Sequence, residues 1–467
     1  MNNKSSFVIV IFIFLFSTTS SHALDAGEHA LIGDLAFKQN LLNYPNDIKN
    51  LEADISFSYG QLVAMSADMY ISVEELALND PGILNGFFNR NRKSLKRCID
   101  KEVENIRTKR IYSGCDDLEF AKKKIQYVAL AHDNYGHFAW HNIKRYVELH
   151  TKALWFANLA YLKCSKLEWQ KVNIRCGKNK KKLTTLIANS NYKKKQKTKY
   201  RKLPKLFPRK RFTKNYFSKM TKEKMIRLAL FTNAYADHYL TDAFSAGHLR
   251  VPRSQIDIFV VHYAGNKNKN KREKGSSLSG ALTQYLHNLD GSLKGIAVTN
   301  SLGYKFTIRS DKQLFSKINS QELSGIVETN KQITQPLAAT KASISEIFNV
   351  ITHGEKSMPL ANFKALEYVP YRIDPTKDSL ASQVKLHIEQ HGSIKKAIKS
   401  MSSEMQIIFR SSMLIDNISY KEYFKDFSLS IPSMMKKLQV QIKKESKNII
   451  LKKRIPSSLL KALKVLN

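Results

Sequence analysis

Histidine and aspartate residues recur at helical spacing in the middle of the chain. Tyr235, His238 and Asp242 follow one another at intervals of three and four residues, behind apolar residues of the same period, so one helical face ends with an imidazole one turn from a carboxylate. These two groups can bind one Zn²⁺, and the second carboxylate oxygen can bridge to another metal. Gly247 predicts the end of this helix, after which His248 would return to the same cavity. Spacing alone leaves two alternatives open, a metal site and a hydrogen-bonded core.

The pattern His-x-x-x-Asp-x-x-x-x-x-His, at His238, Asp242 and His248, resembles the signature of the zinc-dependent phospholipase C family. That family and the single-strand-specific zinc nucleases share an all-helical fold that binds three zinc ions. The segment around these residues is similar to the corresponding segment of the family's bacterial branch: Asp-His-Tyr-Leu-Thr-Asp-Ala-Phe-Ser-Ala-Gly-His-Leu-Arg. The nucleases usually carry Gln-Pro-Leu-His or Gln-Pro-Met-His where this chain has Ser245-Ala-Gly-His248. The likeness covers about residues 24–290 and implies an all-α, multi-helix bundle.

The N-terminal residues predict a secretory signal peptide over residues 1–23. An apolar run from Phe7 to Phe16 follows Lys4, and Ser21 and Ala23 are small residues at the positions that a signal peptidase recognises. No later stretch is apolar enough over about 20 residues to span a bilayer. We therefore expect an exported protein, secreted or periplasmic, that is soluble after cleavage.

The resemblance also implies metal ligands near the processed N-terminus. Cleavage after Ala23 would expose Leu24, and in this family the first residue chelates a metal through its α-amine and carbonyl oxygen. That residue is typically Trp, but only its backbone atoms bind, so the resemblance still implies Leu24 as a ligand. His29, five residues later, matches the early histidine ligand of the family.

Asp68 lies in a segment, residues 58–70, that resembles the source of a buried aspartate ligand in the family. Met65 and Ile71 flank it at helical spacing, which places Asp68 on an apolar stripe. A buried, unpaired carboxylate is costly, so Asp68 needs either a metal or a cationic side chain, and a metal is preferred here. The resemblance also makes Asp68 the candidate general base.

Residues 129–142 resemble the Asn-x-x-His-Phe motif of the family. Their spacing places Asn134, His137 and His141 on one helical face, and the resemblance implies His137 as a ligand. The remaining histidines near this segment are expected to be structural or to support the ligands: His132, His141 and His150.

The resemblance implies that His248 binds a third metal with a histidine and a carboxylate about one turn apart. His287 and Asp290, at spacing i, i+3, are similar to the His-Asp-Glu-Asp segment of the bacterial branch. More distant relatives use spacing i, i+4, where this chain has Gly291. His262 is the competing histidine, but an amide rather than a carboxylate follows it one turn later. Three histidines show no ligand pattern and are expected at the surface: His353, His387 and His391.

The composition limits the class of protein. The 467 residues include 77 Lys and Arg against 39 Asp and Glu, for a net charge of +38, with 43% apolar and 10% aromatic residues. A chain of this kind can bury a core, which excludes collagen-like, low-complexity and wholly disordered classes. The charge implies an acidic partner, either nucleic acid or an anionic lipid surface.

Part of this charge is concentrated between Lys178 and Lys222, where 18 residues are Lys or Arg and none is Asp or Glu. Without them the chain would still carry +20. Aromatic residues are interleaved with the lysines: Tyr192, Tyr200, Phe207, Phe212, Tyr216 and Phe217. The segment is therefore either a solvated surface insertion or a patch that binds phosphates or anionic membrane, with aromatics that insert or stack.

Hydrophobic periodicity predicts helices over Leu24–Leu162, Lys224–Ala246 and Gln321–Val350, and short strands over Ile258–His262, Gly295–Val298 and Tyr304–Ile308. The predicted catalytic domain covers residues 24–350, with the insertion at 178–222. A basic, mostly helical C-terminal extension follows over residues 351–467.

Four cysteines in an exported chain predict two disulfides rather than reactive thiols. Neighbour pairing would join Cys98 to Cys115 and Cys164 to Cys176, but three pairings are possible and the sequence does not distinguish them.

The resemblance implies a hydrolase with three zinc ions that degrades lipid. Its substrate would be a glycerophospholipid such as phosphatidylcholine, cleaved on the glycerol side to diacylglycerol and a phosphorylated headgroup, and the basic surface would attract anionic bilayers. A nuclease with the same zinc site and a non-catalytic polycation that binds membrane or nucleic acid are the alternatives. The sequence indicates no protein partner.

Overall fold

A computed structural model describes residues 26–41, 57–70, 72–73, 76, 85–108, 134–163, 174–190, 214–263, 279–280, 282–290, 295–309, 314, 331–372, 379–400 and 420–465. Residues 1–23, Leu24, Cys115, His132, Cys164 and residues 191–213 of the lysine-rich segment lie outside these ranges. The described residues are mostly helical, which confirms the predicted all-α class.

The first half of the described chain contains α1 (Ala26–Leu41), α2 (Tyr59–Met65), α3 (Asn85–Thr108), a 3-10 turn (Asn134–His137), α4 (Trp140–Leu162), α5 (Ile174–Asn189), α6 (Lys214–Lys219), α7 (Lys222–Asp242), α8 (Ala246–Arg250) and α9 (Arg253–Tyr263). Residues 282–290 are also helical. The second half contains β1 (Ile296–Thr299), β2 (Lys305–Ile308), α10 (Lys331–His353), a 3-10 turn (Gly354–Ser357), α11 (Ala365–Tyr368), β3 (Tyr371–Arg372), α12 (Leu380–Gln390), α13 (Ile394–Lys399), α14 (Tyr420–Glu445), α15 (Ile449–Arg454) and α16 (Ser457–Leu463).

The helices α1, α4, α7 and α10 pack together, and α2 packs against α1 and α7. Thr221 caps the start of α7, and its hydroxyl accepts a hydrogen bond from the Lys224 amide. Helix α2 begins with a capping box in which Ser58 and Gln61 satisfy each other's backbone amides. Apolar side chains from these helices form one buried cluster, and each fully buried Leu or Phe contributes about 1.5–3 kcal/mol. The bundle therefore holds α1, α2, α4 and α7 in fixed relative positions.

A three-stranded antiparallel sheet, in the order β2-β1-β3, lies beneath α8. Its buried residues Ile296, Val298 and Ile308 pack against Ala246 and Leu249 of that helix. The strands predicted at 295–298 and 304–308 are thus confirmed, with bounds shifted by one residue. The sheet supports the short helix that carries His248.

The strand predicted over Ile258–His262 is wrong, because these residues belong to helix α9. The run of β-branched residues favours a strand locally. However, Ile256 and Val260, four residues apart, are buried, while Ile258 between them is 46% exposed. Burial thus follows a helical period, and the packing of α9 against α14 selects the helix.

The C-terminal helices pack on the rest of the molecule. Helix α14 contacts α9 and α12, and α15 contacts α4. Phe424 and Leu438 of α14 belong to the same buried apolar cluster as Leu154 of α4. The boundary placed after residue 350 falls inside α10.

The described ends of the lysine-rich segment are helical. In α6, Phe217 is buried against Trp155 and Phe156 of α4, with ring centroids 5.6 Å and 5.5 Å apart. For Phe217, the alternative in which the ring inserts into a membrane or stacks on bases is therefore wrong, because the ring is part of the core. Tyr192, Tyr200, Phe207 and Phe212 lie outside the described residues.

Cys98 of α3 is disulfide-bonded, and the described residues contain no free cysteine. Among the described helices, none is both long and apolar enough to cross a membrane.

Candidate metal centre

The structure brings six of the predicted ligands into three overlapping groups in which the nitrogen and oxygen atoms lie within 4.8 Å of one another. They come from α1, the turn after α2, the first 3-10 turn, α7 and α8. The members are His29, Asp68, His137, His238, Asp242 and His248. All except Asp68 are buried. These groups could hold metal ions.

Asp242 is the centre of this arrangement. Its Oδ2 lies 2.8 Å from His137 Nδ1 and 3.8 Å from His238 Nε2. Its Oδ1 lies 3.5 Å from His29 Nε2 and 3.8 Å from His248 Nδ1. Each carboxylate oxygen thus faces two imidazole nitrogens from different elements. The carboxylate of Asp242 could therefore bind metal together with these imidazoles.

Asp68 faces the same centre from the other side. Its Oδ1 lies 3.7 Å from His137 Nε2, and its Oδ2 lies 3.5 Å from His238 Nε2. Zinc bonds of 2.0–2.2 Å in a tetrahedron place ligand atoms about 3.4 Å apart, close to most of these separations. The Asp68 side chain is 13% exposed, so it forms the solvent-facing edge of the centre.

The hydrogen bonds around the centre fix the histidine tautomers. His238 Nδ1 lies 3.0 Å from the Val63 carbonyl oxygen, which only accepts, so the nitrogen carries the hydrogen and Nε2 is left as an acceptor. The Thr241 hydroxyl donates to the Asp237 carbonyl oxygen and accepts from His29 Nδ1, at 2.7 Å. Both imidazoles therefore present Nε2 lone pairs to the carboxylates, as metal-ligating histidines do.

His29 Nε2 and Asp242 Oδ1 have no hydrogen-bond partner among the described residues, although both are buried. They face each other at 3.5 Å, so the lone pairs of a nitrogen and of an anionic oxygen are directed at one another. Burying such atoms without a partner costs about 1–3 kcal/mol each. A cation between them would remove this cost.

Burial and neighbouring charges set the protonation states. Burial alone would raise the pKa of Asp242, but the adjacent His238 and His137 lower it well below the usual range of an aspartate. Burial lowers the pKa of His238 to about 4 and that of His248 well below its usual value. The centre thus combines neutral imidazoles at His238 and His248 with an ionised carboxylate at Asp242, the forms that bind metals.

His287 lies beside His248, with ring centroids 5.2 Å apart, but it does not belong to the three groups. Its ring packs directly on Gly247, where an added Cβ would lie 2.0 Å from His287 Cδ2. Gly247 is inside α8 rather than at the end of α7, which stops at Asp242. The predicted role of Gly247 as a helix stop is therefore wrong, and the residue instead gives His287 access to the α8 backbone.

Asp290 is not brought into the metal-type groups. Arg250 Nε donates to its Oδ2 at 2.8 Å, a second hydrogen bond joins Nη2 to Oδ1, and both side chains are fully buried. Gln383 of α12 also accepts from Arg250, at 2.6 Å. The structure corrects the expectation for Asp290, because a buried guanidinium supplies the countercharge that was assigned to a metal. The sequence signal was Arg250, two residues after His248.

Asp68 and His137 lie on turns, not on the predicted helices. Helix α2 ends at Met65, and Ala67, just before Asp68, has φ 61°. Ala139 has φ 50° and separates the turn of His137 from α4, which carries His141. The predictions of an apolar helical stripe through Asp68 and of one face shared by His137 and His141 are therefore wrong. Positive φ at a residue other than glycine costs about 1–3 kcal/mol and persists where the surroundings impose it.

Of the other described histidines, His141 and His150 have structural roles and His353 lies at the surface, as expected, whereas His387 and His391 are not fully at the surface. His141 is buried beside Ser254, at 3.3 Å, and His150 is hydrogen-bonded at both ring nitrogens. His262, the competing ligand, is exposed at the end of α9, and His353 is also exposed. His387 and His391 are half-buried on α12 and just beyond it.

Two contributors to the centre were missed. Thr241 orients His29, and the backbone amide of Ala139 donates to the His248 carbonyl at 2.6 Å. A hydroxyl residue directly before Asp242, on the buried side of the same helix, was the available signal for Thr241. The backbone contact has no sequence signal.

Comparisons of the chain with protein-family models, with curated proteins and with solved structures found no match.

Proposed function

We propose that the protein is an exported zinc-dependent phospholipase C that hydrolyses the glycerol-side phosphodiester bond of phosphatidylcholine-type lipids. The observation that carries the proposal is the convergence of four imidazole nitrogens on the two oxygens of buried Asp242. An ion between each oxygen and its facing nitrogens would place two metals on either side of one carboxylate. The resemblance of the motif to the zinc-dependent phospholipase C family supports zinc, and three ions, as the complement.

Each residue of the centre has a role in this proposal. His137, His238 and Asp68 would hold one ion together with one oxygen of Asp242. His29 would bind the ion at the other oxygen, with the backbone of Leu24 completing that site after processing. His248 would bind the third, with His287 beside it. When bound, the zinc ions lower the pKa of a water and stabilise the negative charge that develops on the phosphoryl group and leaving alkoxide.

Asp68 is the proposed general base. It is the one member of the groups that reaches solvent, and its oxygens face the acceptor nitrogens of His137 and His238 at 3.7 Å and 3.5 Å. One oxygen can accept a proton while the other stays directed at the centre. The Val63 carbonyl holds the His238 imidazole in orientation, so the direction of its Nε2 does not depend on the substrate.

The segment Ser245-Ala-Gly-His248 favours a phospholipase over a nuclease. The nuclease branch places Leu or Met at the position of Gly247, where this chain has no room for a Cβ because His287 lies against it. The contact between Gly247 and His287 is thus consistent with the glycine that the phospholipase branch has at this position. The basic charge does not distinguish the two substrates, since both are rich in phosphate.

Activity and metal content test the proposal together. The processed protein should contain zinc by elemental analysis and should release water-soluble phosphorus from phosphatidylcholine vesicles but no nucleotides from single-stranded DNA. His238→Ala should lose both zinc and activity, whereas His262→Ala, at an exposed position, should lose neither. Activity on DNA alone would assign the nuclease function, and a protein with no zinc and neither activity would leave a non-catalytic polycation.

The site of export is tested separately. The processed protein should appear in the medium or periplasm with Leu24 as its N-terminal residue. An N-terminus elsewhere would remove the proposed backbone ligand.

A further inference from the structure

The turn between α14 and α15 combines exposed lysines with exposed aliphatic side chains. Ile449 is 81% exposed, Ile450 54% and Val440 59%. The lysines around them are exposed as well: Lys443, Lys444, Lys447, Lys452 and Lys453. Residues 440–453 are called the C-terminal tip below. Large, solvent-exposed aliphatic side chains next to a group of like charges indicate a surface that binds a partner.

The fold holds these aliphatic side chains outward. The side chain of Asn448 caps α15 by accepting hydrogen bonds from the amides of Ile450 and Leu451, at 2.9 Å and 3.3 Å. The inward positions are already filled by Ile442 and Leu451, which are buried in the core. Ile449 and Ile450 occupy the first turn of a capped helix, so their exposure is built into the fold.

The positive charge of this region is not balanced within the sequence. Residues 427–467 contain ten Lys and Arg and a single acidic residue, Glu445. Glu445 accepts hydrogen bonds from Trp140 Nε1 at 2.7 Å and from Lys144 Nζ at 3.0 Å, so its charge is directed at α4. The lysines of the tip therefore present their charge to solvent.

Glu445 also ties the tip to the metal centre. Its partner Trp140 is the first residue of α4, three residues after His137. Between them, the amide of Ala139 donates to the carbonyl of His248. Through Glu445 and Trp140, the tip thus contacts the segment that carries His137 and is hydrogen-bonded to the backbone of His248.

We propose that the C-terminal tip is a docking surface for anionic phospholipid bilayers, with its lysines at the headgroups and Ile449 and Ile450 in the interfacial region. Lysine clusters attract anionic lipid surfaces, and aliphatic side chains beside them enter the boundary between headgroups and acyl chains. Residues 428–467 contain no aromatic residue, so stacking on bases is not available and a bilayer fits better than nucleic acid. Docking itself is independent of the chemistry at the metal centre, and its purpose, to bring that centre to its lipid, rests on the proposed function.

The test is flotation of the full-length processed protein with vesicles of phosphatidylcholine alone and of phosphatidylcholine mixed with phosphatidylglycerol. The wild type should bind the mixed vesicles more tightly. Lys443→Gln/Lys444→Gln/Lys447→Gln should weaken that binding about 100-fold, since each lysine near an anionic surface contributes a similar increment. Ile449→Gln/Ile450→Gln should weaken binding to both kinds of vesicle by about tenfold.

The matched control is Lys178→Gln/Lys180→Gln/Lys181→Gln, which removes the same charge from exposed positions of α5. Its binding to mixed vesicles should stay within about threefold of the wild type. Unchanged binding by the tip variants, or an equal loss in the control, overturns the proposal. A loss of single-stranded DNA binding in the tip variants without a loss of vesicle binding also overturns it and assigns the tip to nucleic acid.

Hydrolysis of a short-chain, monomeric phosphatidylcholine separates docking from chemistry. The tip variants should cleave this soluble substrate at the wild-type rate, which also shows that they are folded. A wild type that binds anionic vesicles through the tip but cleaves no lipid would refute the proposed function and support the docking surface.

Discussion

Two buried polar clusters lie on the same helix and use the same residue types. One is the candidate metal centre at His238 and Asp242 of α7. The other is centred on Asp237, directly before His238, and Asp237 accepts hydrogen bonds from the Tyr59 hydroxyl at 2.7 Å and from the Ser343 hydroxyl at 2.6 Å. Both aspartates are fully buried. Only their surroundings differ.

The earlier cluster is satisfied by the protein alone. Asn233 donates to Asp237 at 3.1 Å, and His150 is hydrogen-bonded at Nδ1 to Asn233 and at Nε2 to Glu346. In the metal centre, by contrast, only Asp242 Oδ2 is hydrogen-bonded, to His137 Nδ1 at 2.8 Å, whereas Oδ1 has no hydrogen-bond partner among the described residues and faces His29 Nε2. Residue type does not distinguish a metal ligand from a structural residue. Two buried acceptor atoms that face each other without a hydrogen-bond donor do distinguish them.

The two aspartates also differ in acidity. Burial raises the pKa of Asp237 to about 7, even though hydrogen bonds from Ser343 and Tyr59 oppose the shift. At Asp242 the imidazoles of His238 and His137 outweigh burial, and its pKa falls below the usual range. The Asp237 carboxyl is thus a hydrogen-bond partner of two hydroxyls and an amide, whereas the Asp242 carboxyl is held as an anion.

The largest expected effect comes from exchanging these two aspartates for asparagine, one at a time. Asp242→Asn removes the bridging charge and should reduce kcat/KM on phosphatidylcholine by about 1000-fold or more, with loss of bound zinc. Asp237→Asn should keep its zinc, because none of its partners is a ligand. Elemental analysis and initial rates measure both, and zinc retained by Asp242→Asn but lost by Asp237→Asn would reverse the comparison.

A second variant weakens the satisfied cluster alone. Tyr59→Phe removes a donor to buried Asp237 and should lower the free energy of unfolding by about 1–3 kcal/mol. Zinc content should not change, because the hydroxyl touches no ligand of the centre. Denaturant unfolding and elemental analysis provide the two measurements, and a loss of zinc equal to that of His238→Ala would contradict the separation of the clusters.

A third prediction concerns His141, a buried histidine that belongs to neither cluster. Burial lowers its pKa from 6.5 to about 4, so the unfolded chain binds a proton near pH 6.5 and the folded chain only near pH 4. The stabilisation present above pH 6.5 is therefore lost as the pH falls toward 4, by about 2 kcal/mol between pH 7 and 5. His141→Gln should flatten the unfolding free energy over that interval relative to wild type, and equal slopes would refute the shift.

The smallest effect is expected at the strained turn between the metal centre and α4. Ala139→Gly should relieve positive φ and stabilise the protein by up to about 1 kcal/mol, since the relief is partly offset by the greater entropy of unfolded glycine. The Ala139 amide is retained, so its bond to His248 and the zinc content should persist. Thermal unfolding measures the change, and a clear destabilisation would show that the turn is not strained.

The sequence allowed the local part of the centre to be predicted. His238 and Asp242 are one turn apart on a helix, and their proximity follows as soon as the helix forms. His248 could also be placed, because only a short connection separates it from Asp242. These residues converge in the structure as expected.

Positions that depend on contacts between distant segments could not be derived in the same way. Asp68 and His137 lie on turns whose positive φ values are imposed by their surroundings, so helical periodicity misplaced them. Asp290 was assigned to a metal from its spacing to His287 and the family resemblance, whereas in the structure it binds Arg250, which lies 40 residues before it in sequence. Local spacing shows that Arg250 is present but not that it pairs with Asp290.

The sequence by itself thus determined the helical class, the spacing of the ligand-type residues on α7 and the excess of positive charge. Only the tertiary structure decided which buried polar groups are satisfied. Asp237 is satisfied by Ser343 and Tyr59, each more than 100 residues away, whereas Asp242 meets imidazoles from α1, α7, α8 and the first 3-10 turn. The physical reason is that a hydrogen bond depends on where donor and acceptor atoms come to rest, and packing, not the order of residues, brings these atoms together.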